Sequence, residues 1–483
     1  MIISELLKGV SYTGNILDDT DIENIVYDSR NVNPNSCFVA IKGKLFDGHE
    51  YVEEALGNGA KLVVVEDKKY ISNNLPVIKV DNSRYALSVM SSNFFENPSK
   101  DMNIIGVTGT NGKTTVTYIL KSILDRLGYD CGYLGTLGFM LNERVVSTGF
   151  TTPESLELQS MLKLIKDSNI GQSVLEVSSH SLDQDRVSSI DFNVAIFTNL
   201  TEDHLDYHKN MENYFIAKSR LFKGLKGDSV SVINVDDQYG KKLYDSINKN
   251  KISYAVNREA DIFASDIKSS LDNTEYIVRI FNKKFKVRSN LIGEYNISNV
   301  IAAIGGLTAL GYKSSDIIDK INDLDLCIPG RMELISQYDS RYVYIDYAHT
   351  PDAFEKLFST IRDIDKKYEI ISVFGCGGNR DRDKRSKMAS IAEKYCNKVF
   401  VTSDNPRFEN LDDILNDTVK GFQLNKHQII KDRKIAIESA INSMSDKSIL
   451  LILGKGRENY QIVENSKLFF SDVETVESYI YAN

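Results

Sequence analysis

The sequence lacks several features that mark whole classes of protein. No apolar run approaches the roughly 18 residues of a membrane-spanning helix, and runs such as Ile449–Leu453 have only the length of a strand. The five cysteines are scattered and form no Cys-x-x-Cys pair, so neither a disulfide framework nor a zinc site is expected. The N-terminal residues lack the basic start and long apolar stretch of a signal peptide. These absences predict a cytoplasmic protein with no membrane association.

Positive charge is in deficit as well. Lysine and arginine together number 58 against 67 aspartate and glutamate residues, which gives a formal net charge of −9. Because no global positive field attracts phosphates, non-specific binding to nucleic acid is not expected. Binding of an anionic small molecule needs only local positive charge, so the net charge does not exclude such a ligand.

Length and composition indicate a globular protein of several domains. The chain has 483 residues, of which 42% are hydrophobic and 26% are charged, as is ordinary for soluble proteins. At about 150 residues per domain, three domains are expected. Two proline-containing segments place the boundaries: Glu96–Ser99, which is interpreted as a linker, and Ile328–Arg331. The predicted domains are residues 1–98, 99–330 and 331–483.

Short apolar runs alternate with helical patterns after residue 102. Helices are predicted over Lys113–Leu127 and from Asn296, and an antiparallel hairpin over Tyr276–Arg288. Runs that are apolar throughout suit sheets covered on both faces, so the fold class is α/β. We expect a central doubly wound parallel sheet and a C-terminal Rossmann-like domain. The strands predicted in this part are Asn103–Thr108, Gln172–Val177, Phe192–Thr198, Tyr342–Asp346, Ile370–Phe374, Lys398–Thr402 and Ser448–Leu453.

The segment Thr108–Thr115 follows a predicted strand and opens a helix, as a phosphate-binding loop does. Backbone amides in such a turn point at phosphate oxygens, and the helix N-terminus adds a favourable dipole. Lys113 would neutralise the β- and γ-phosphates, and the Thr114 hydroxyl would bind Mg²⁺. Val107 stands where the usual pattern has its first glycine. The strand before the loop and the helix after it still favour nucleotide binding over a plain connection.

Two polar residues follow consecutive predicted strands in the middle of the chain. Glu176 lies at the end of one strand, and His204 comes shortly after the strand that ends at Thr198. Taken singly, a buried glutamate is more often a structural ion-pair partner, and a loop histidine is more often a polar surface residue. Because ligands bind at the carboxyl edge of doubly wound sheets, their joint position favours a role in binding Mg²⁺.

Six segments of the sequence together resemble the Mur ligases, and the resemblance covers the full chain in the same order. It implies ATP-dependent amide-bond formation on UDP-N-acetylmuramoyl-L-alanyl-D-glutamate, in the synthesis of peptidoglycan precursors. The D-Glu γ-carboxylate takes the ATP γ-phosphate, and an amine then displaces phosphate from the acyl phosphate. We expect a monomer that uses ATP and Mg²⁺. The segments are Thr108–Thr115, Glu176–His180, Asp203–Asp206, Pro329–Arg331, Asp346–Pro351 and Gly375–Gly378.

The resemblance assigns roles to further residues. Lys218 matches a lysine that CO₂ carbamylates in this family, which turns a cation into an anionic oxygen ligand. The implied ATP-binding residues are Gly109, Thr110, Asn111, Gly112, Lys113, Thr114, Thr115, Asn296, Asn299, Arg331 and Asp346. The residues implied to hold the nucleotide-sugar dipeptide are Ser29, Thr151, Thr152, Ser178, Gln184 and Arg186. The implied catalytic residues are Lys113, Glu176, His204 and Lys218, and the implied Mg²⁺ ligands are Thr114, Glu176, His204 and Lys218.

The resemblance also implies which amino acid is added. The motif Asp404-Asn405-Pro406-Arg407 matches relatives that add meso-2,6-diaminopimelate, whereas relatives that add L-lysine lack the arginine. The guanidinium of Arg407 can bind the distal carboxylate of diaminopimelate through two parallel hydrogen bonds. The other residues implied to bind this amino acid are Arg380, Gly454 and Glu458.

Two departures from the family pattern lie near this motif. Asn379 stands where an acidic residue is common, and Arg457 stands where histidine is common. Because both change the local charge, L-lysine and meso-lanthionine, which has the same two ends as diaminopimelate, stay open as substrates. Another ligase of the superfamily, such as folylpolyglutamate synthetase, and a non-catalytic nucleotide-binding protein are further alternatives. The Asp404–Arg407 motif argues against the first, and intact Lys113 and Lys218 argue against the second.

Overall fold

The computed structural model describes residues 1–14, 16, 19–43, 46–71, 74–248 and 250–482. The chain divides into two compact units. The first consists of Met1–Thr108, Leu124–Ile196 and Ala217–Ser231, and the second of Gly109–Ile123, Phe197–Ile216 and Val232–Asn483. Over the described residues, no helix is long and apolar enough to cross a bilayer, and no disulfide joins the cysteines. The limits of the three expected domains stay a prediction.

Helices occur along the whole chain, and α12 shows why they form where they do. The Thr350 side chain accepts a hydrogen bond from Ala353 N at 3.3 Å, and Pro351 occupies the first turn. Its buried residues recur at helical spacing, at Phe354, Leu357, Phe358 and Ile361. In the described ranges the helices are α1 (Ile3–Leu6), α2 (Val52–Gly57), α3 (Ser83–Phe94), α4 (Lys113–Arg126), α5 (Ser155–Asp167), α6 (Ser179–Asp183), α7 (Leu205–His208), α8 (Met211–Lys223), α9 (Gln238–Ser246), α10 (Glu294–Ala309), α11 (Ser314–Asn322), α12 (Pro351–Ile364), α13 (Asp383–Tyr395), α14 (Leu411–Val419), α15 (Arg433–Asn442) and α16 (Asp472–Ala482).

The N-terminal part of the first unit contains a mainly parallel sheet. Its strands are β1 (Thr13–Gly14), β2 (Asn24–Val26), β3 (Ser36–Val39), β4 (Leu62–Val65) and β5 (Val77–Lys79). Their order is β1-β5-β4-β3-β2, and β1 is antiparallel to its neighbour while the other pairs are parallel. Leu62 and Val64 enter one apolar core, and Val63 and Val65 enter another. The sheet is therefore covered on both faces, as uniformly apolar strands predict.

Six hydrogen-bonded neighbouring strands, nearly all in the first unit, carry Glu176. These strands are β6 (Asn103–Thr108), β7 (Cys131–Gly135), β8 (Gly138–Leu141), β9 (Arg144–Val146), β10 (Gln172–Glu176) and β11 (Val194–Phe197). The order is β11-β6-β10-β7-β8-β9, with β6, β10 and β7 parallel and β8 and β9 antiparallel. Glu176 pairs with Val107 near the end of β6. Glu176 thus lies at the carboxyl edge, where doubly wound sheets bind ligands.

Five further neighbouring strands, nearly all in the second unit, end in the predicted hairpin. These strands are β12 (Val230–Asn234), β13 (Lys251–Ala255), β14 (Ile262–Ser269), β15 (Thr274–Ile280) and β16 (Lys283–Ser289). They follow one another in that order across the sheet. β15 and β16 are antiparallel, with Glu275 opposite Arg288, which confirms the hairpin predicted over Tyr276–Arg288.

The C-terminal part of the second unit is a doubly wound sheet. Its strands are β17 (Glu333–Tyr338), β18 (Arg341–Asp346), β19 (Glu369–Cys376), β20 (Lys398–Ser403), β21 (His427–Ile429) and β22 (Ser448–Leu453), and a separate hairpin is formed by β23 (Tyr460–Val463) and β24 (Ser466–Phe469). The order is β17-β18-β22-β19-β20-β21, and all pairs except β17–β18 are parallel. Ile449 and Leu451 of β22 enter one core, and Leu450 and Ile452 enter the opposite one.

The strands predicted from the sequence are confirmed as β6, β10, β11, β18, β19, β20 and β22. The interpretation of Glu96–Ser99 as a linker stays a prediction. Pro98 and Ser99 are buried in a 3-10 turn, and the Ser99 hydroxyl accepts a hydrogen bond from Asp191 N at 3.1 Å. Asn97 takes a left-handed conformation (φ 49°), so the chain turns before Pro98 without leaving the packed surface.

A fully buried ion pair fastens the ends of two strands of the C-terminal sheet. Arg433 Nε and Nη2 donate to the two carboxylate oxygens of Asp472, each at 2.7 Å, and neither side chain is exposed. The guanidinium also donates to Ser403 O at 3.2 Å and to Leu453 O at 3.0 Å. These carbonyls end β20 and β22, so the pair holds together the two strand ends from which predicted site loops begin.

We expect Arg433→Met to lower the free energy of unfolding by about 3–5 kcal/mol, because it leaves the Asp472 carboxylate buried without its partner. The double variant Arg433→Met/Asp472→Leu should recover much of that loss. The matched control is Lys431→Met, whose pair with Asp412 is exposed and should contribute nothing measurable. Thermal unfolding of the full-length protein measures all three. An Arg433→Met protein as stable as wild type would contradict the structural role of the pair.

Candidate active site

The segment Gly109–Lys113 forms a tight loop between β6 and α4. Gly109 (φ +151°) and Gly112 (φ +89°) have backbone conformations that other residues rarely adopt. A Cβ atom on Gly112 would also collide with Asn299 Oδ1. Lys113 Nζ donates to the carbonyl oxygens of Gly109 at 3.0 Å and Thr110 at 2.9 Å. The loop therefore combines a tightly curved backbone with the cation of Lys113, which is bonded to two of its carbonyl oxygens.

Side chains from outside the loop hold Asn111 in place. Asn111 N donates to Asn199 Oδ1 at 2.9 Å, and Asn111 O accepts from Thr198 Oγ1 at 2.6 Å. Asn111 Nδ2 donates to Asp352 Oδ2 at 2.9 Å, on the first turn of α12. Sequence reasoning missed these three partners of Asn111, because the sequence of a loop does not show which distant side chains contact it. Asp352 could be recognised only as part of the helix start marked by Pro351.

The predicted ATP-binding residues of the second unit are brought to this loop. Asn299 lies against Gly112, and Asn299 Nδ2 donates to Asn296 Oδ1 at 3.2 Å. Arg331 Nη2 donates to Thr114 Oγ1 at 3.0 Å. The guanidinium of Arg331 therefore stands beside the hydroxyl that the sequence predicts as a metal ligand. The buried threonines of the loop and the following turn are Thr110, Thr114 and Thr115.

Asp346 shapes the backbone around Arg331. Its carboxylate accepts from Met332 N and Ala348 N, each at 2.6 Å. Burial raises the pKa of Asp346, and the neighbouring guanidinium of Arg331 opposes that rise. The Arg331 guanidinium carbon lies 4.4 Å from the ring centroid of Tyr347. Asp346 thus fixes two backbone segments, one next to Arg331 and one next to Tyr347.

Glu176 is buried in the first unit, and hydrogen bonds fix the direction of its carboxylate. Oε1 accepts from the Tyr133 hydroxyl at 2.6 Å and from Thr136 N at 2.8 Å. Oε2 accepts from Thr136 Oγ1 at 3.1 Å. The same Thr136 hydroxyl lies 3.2 Å from Thr151 Oγ1, one of the residues predicted to hold the dipeptide.

The residues predicted to bind Mg²⁺ are distributed over both units, with Glu176 and Lys218 in the first and Thr114 and His204 in the second. Within the described ranges, no group of three or more His, Cys, Asp or Glu residues is placed to hold a metal. The Thr114 hydroxyl and the Glu176 carboxylate suit Mg²⁺, which prefers oxygen and takes few protein ligands beside substrate phosphates. Lys218, with only 1% of its surface exposed, would offer oxygen only as a carbamate. The oxygen atoms of Thr114, of Glu176 and of a carbamate on Lys218 therefore suit Mg²⁺. The nitrogen of His204 is a less common ligand for this ion.

Residues predicted to hold the dipeptide form a hydrogen-bonded cluster in the first unit. Thr152 Oγ1 donates to Glu176 O at 2.7 Å and accepts from Ser178 N at 3.1 Å. Arg186 Nη1 donates to Thr152 O at 2.9 Å, and Arg186 Nη2 donates to Gln184 Oε1 at 2.7 Å. The sequence predicted these residues separately, and the structure joins them through Arg186.

A cavity of about 450 Å³ lies beside Arg186. Glu154 lines it, accepts from Arg84 Nη1 at 2.9 Å and pairs with Arg186 Nε at 2.5 Å. Tyr27 also lines the cavity, and Ser29 follows shortly afterwards on a 3-10 turn. Sequence reasoning missed Arg84 and Glu154, since neither belongs to a motif.

The loop after β20 holds Arg407 in an unusual backbone conformation. Arg407 has φ +54°, and its N–H donates to Ile462 O at 2.9 Å. Its side chain donates from Nη1 to Gly378 O at 2.9 Å. Burial lowers the pKa of Arg407, and the like charge of Arg380 adds to that effect. The guanidinium is therefore held against the glycine loop, in a region of concentrated positive charge.

Two carboxylates stand close to this region. Asn405 Nδ2 donates to Glu458 Oε2 at 3.2 Å, and the Tyr347 hydroxyl donates to Glu458 Oε1 at 3.3 Å. Burial raises the pKa of Glu458, and the nearby charge of Asp404 adds to the rise. Gly454 leaves room here, since a Cβ atom on it would lie 2.9 Å from Asp404 Oδ2. The guanidinium of Arg407 and the carboxylates of Asp404 and Glu458 thus lie close enough for their charges to interact.

Asn379 has a backbone role in this site. It takes a left-handed conformation (φ 52°), its N–H donates to Glu409 Oε2 at 3.0 Å, and its Oδ1 accepts from Phe408 N at 3.0 Å. These bonds join the loop that contains Arg380 to the loop that contains Arg407. An aspartate could accept the same hydrogen bond, so the departure from the family pattern keeps this connection.

The second departure, Arg457, is neutralised locally. Arg457 Nε donates to Glu333 Oε2 at 2.9 Å, and its Nη2 pairs with the other oxygen of the same carboxylate. Glu333 also accepts from Gly330 N at 2.7 Å. The extra positive charge therefore fastens the loop between β22 and β23 to the segment that carries Arg331.

Comparisons with known proteins agree with this arrangement. Three family models match in order: "Mur ligase family, catalytic domain" over residues 21–105, "Mur ligase middle domain" over 107–307 and "Mur ligase, glutamate ligase domain" over 330–456. The chain is 40% identical to the UDP-N-acetylmuramoyl-L-alanyl-D-glutamate–2,6-diaminopimelate ligase of Clostridium botulinum, with 99% of each chain covered. It is similar to a solved structure of a ligase of that name (31% identity, 95% of each chain, TM-score 0.67). It shares its fold with a MurF ligase from Thermotoga maritima in complex with ADP (19% identity, 95% of this chain and 97% of that one, TM-score 0.64).

We expect Gly112→Ala to weaken nucleotide binding by about 5-fold to 150-fold, because backbone strain and the collision with Asn299 together cost about 1–3 kcal/mol. Gly128→Ala is the matched control, since Gly128 has a similar φ of +86° but nothing within 4 Å of the added atom. Titration with a fluorescent ATP analogue measures both variants. Equal affinities for the two alanine variants would show that the loop at Gly112 does not bind the nucleotide.

Proposed function

Because the chain belongs to the Mur ligase family, we propose that it joins meso-2,6-diaminopimelate to UDP-N-acetylmuramoyl-L-alanyl-D-glutamate with cleavage of ATP. The relative from Clostridium botulinum bears the name of this activity and matches over nearly its full length. The observation that carries the choice of amino acid is the loop Asp404–Arg407, which brings the Arg407 guanidinium to Gly378 O and the Asn405 amide to the Glu458 carboxylate.

The reaction unites a carboxylate and an ammonium, which do not condense in water. Transfer of the ATP γ-phosphate to the D-Glu γ-carboxylate replaces a poor leaving group with phosphate. The neutral amine of the incoming amino acid then attacks the acyl carbon, the carbon–oxygen bond to phosphate breaks, and the attacking nitrogen loses a proton. The protein's part is to align the three reactants and to neutralise charge on the phosphates.

ATP binds at the loop Gly109–Lys113 in this proposal. The positive φ angles of Gly109 and Gly112 and the N-terminus of α4 support a phosphate site. Lys113 and Arg331, which both stand at this loop, supply the positive charge for the transferred phosphate. The ADP bound to the Thermotoga maritima MurF ligase supports a nucleotide in this fold.

Magnesium, when bound, would neutralise phosphate charge and favour attack on the γ-phosphorus. Thr114, Glu176, His204 and carbamylated Lys218 are the residues proposed to hold it. The support is chemical, because hydroxyl, carboxylate and carbamate oxygens are the donors that this ion prefers. The buried position of Lys218 on α8 would keep a carbamate away from bulk water.

The nucleotide-sugar dipeptide is assigned to the first unit. Thr151, Thr152, Ser178, Gln184 and Arg186 would hold its sugar and dipeptide part, and Ser29 its uridine end. The Arg186 guanidinium and its cavity of about 450 Å³ support this assignment, because guanidinium groups pair well with phosphate and carboxylate oxygens.

Diaminopimelate presents an ammonium and a carboxylate at its distal end. Arg407, with Arg380 nearby, would hold the carboxylate, while Asp404 and Glu458 would hold the ammonium. Lysine lacks the distal carboxylate and would leave the guanidinium of Arg407 without a partner, which disfavours it. The domain limits 1–98, 99–330 and 331–483, a monomeric state and a cytoplasmic location complete the proposal.

Phosphate release should require ATP, the UDP-linked dipeptide and diaminopimelate together. Each is omitted in turn from an assay of the purified protein, and L-lysine and meso-lanthionine replace diaminopimelate in parallel. Mass spectrometry should detect the UDP-linked tripeptide only in the complete mixture, and the Lys113→Ala protein is the inactive control. Efficient turnover with L-lysine, or phosphate release at the same rate without any amino acid, would refute the proposed substrate.

We expect Arg407→Ala to lower kcat/KM for diaminopimelate by about 30-fold to 1,000-fold, because a buried charge-assisted contact is worth roughly 2–4 kcal/mol when one partner is removed. The KM for ATP should stay close to that of wild type, and L-lysine should gain little. Arg341→Ala is the control, since Arg341 begins β18 and pairs with Asp446 at the surface. Full activity of Arg407→Ala with diaminopimelate would end this assignment.

A further inference from the structure

Lys455 is a lysine whose side chain is wholly buried, in the loop between β22 and β23. Its Nζ donates to Tyr460 O at 2.7 Å and to Asn405 Oδ1 at 3.2 Å. Two carboxylates lie slightly farther away, with Asp404 Oδ1 at 3.7 Å and Glu458 Oε2 at 3.6 Å. A buried ammonium is unfavourable unless it is paired and hydrogen-bonded, and Lys455 is both. Three of its four partners are residues assigned above to the amino-acid substrate.

The hydrogen bond from Lys455 decides which way the Asn405 amide points. Asn405 Oδ1 accepts from Lys455 Nζ and also from Ile462 N at 2.9 Å. With the oxygen engaged in this way, the amide nitrogen lies on the opposite side and donates to Glu458 Oε2 at 3.2 Å. The orientation that Lys455 imposes therefore directs the Asn405 amide nitrogen, which is a donor, at the Glu458 carboxylate.

Lys455 also balances the charge of the two acids. Burial raises the pKa of Glu458, the charge of Asp404 adds to the rise, and Lys455 opposes it. Removal of the ammonium would leave two carboxylates facing each other with less compensation. Glu458 would then be protonated more readily and would accept less strongly from a ligand's ammonium.

Resting on the function proposed above, we propose that Lys455 is a positioning residue that selects the amino-acid substrate. It fixes the Asn405 amide against Glu458 and maintains Asp404 and Glu458 as acceptors for the distal ammonium. It acts through these side chains and contacts neither ATP nor the reacting atoms. Its loss should therefore weaken the binding of diaminopimelate alone.

Three variants of the full-length protein test this role. Lys455→Met removes the hydrogen bonds and the charge at similar volume, and Lys455→Gln keeps a donor for Asn405 Oδ1 without the charge. Lys467→Met is the matched control, because Lys467 is exposed and its Nζ lies 3.7 Å from the ring centroid of Tyr460. The readouts are kcat and the KM for diaminopimelate, ATP and the UDP-linked dipeptide, with thermal unfolding as the check on folding.

For Lys455→Met we expect the KM for diaminopimelate to rise roughly 10- to 100-fold, the range for loss of one buried charge-assisted partner. The KM for ATP and for the dipeptide should stay within about twofold of wild type, and kcat at saturation within about threefold. The reason is that the variant weakens the binding of diaminopimelate equally in the ground state and in the transition state. Lys455→Gln should lie between Lys455→Met and wild type, and Lys467→Met should behave as wild type.

An unchanged KM for diaminopimelate in Lys455→Met overturns the inference, and so does an equal rise in the KM of all three substrates. If Lys455→Met does not fold, Lys455→Gln decides by the same criteria. Wild-type protein that does not depend on diaminopimelate refutes the proposed function instead, and that result is obtained before any variant is compared.

Discussion

The parallel register of the C-terminal sheet is the constraint on which the proposed amino-acid site depends. Asp346 at the end of β18 pairs with Leu453 at the end of β22, and Cys376 of β19 pairs with Ser403 of β20. Because parallel strands end at one edge, the loops that follow them gather there. Those loops begin at Tyr347, Gly377, Asp404 and Gly454. Apolar cores cover both faces of the sheet, which leaves this edge for polar chemistry.

Buried cations hold these loops in place. Arg433 bonds the last carbonyls of β20 and β22, while Arg385, whose side chain is not exposed, donates to Glu409 at 2.7 Å and to Gly377 O at 3.2 Å. Lys455 holds Asn405 and the chain at Tyr460. Desolvation offsets much of the attraction in such pairs, so we interpret them as devices for geometry more than for net stability. Each one supports a loop that carries residues proposed to bind the amino acid.

Much of this arrangement was readable from the order of residues along the chain. The uniformly apolar runs at Asn103–Thr108 and Ser448–Leu453 predicted buried parallel strands, because a strand covered on both faces has no polar alternation. The glycines around Lys113 predicted a phosphate loop, since only a flexible backbone makes that turn. The Asp404–Arg407 motif implied the amino acid through its resemblance to a family, and the structure places this motif directly after β20.

Tertiary structure alone decided how distant residues support one another. Asp352 and Asn199 hold the phosphate loop, and Arg84 and Glu154 flank the Arg186 cavity, although none of them belongs to a motif. Asn379 and Arg457 looked in sequence like changes of charge beside the substrate, yet one closes a backbone turn and the other is neutralised by Glu333. One physical reason applies to all of these residues. The local sequence pattern reflects burial and backbone preference. A hydrogen-bond partner, in contrast, depends on which chain segments the fold brings within about 3 Å of each other.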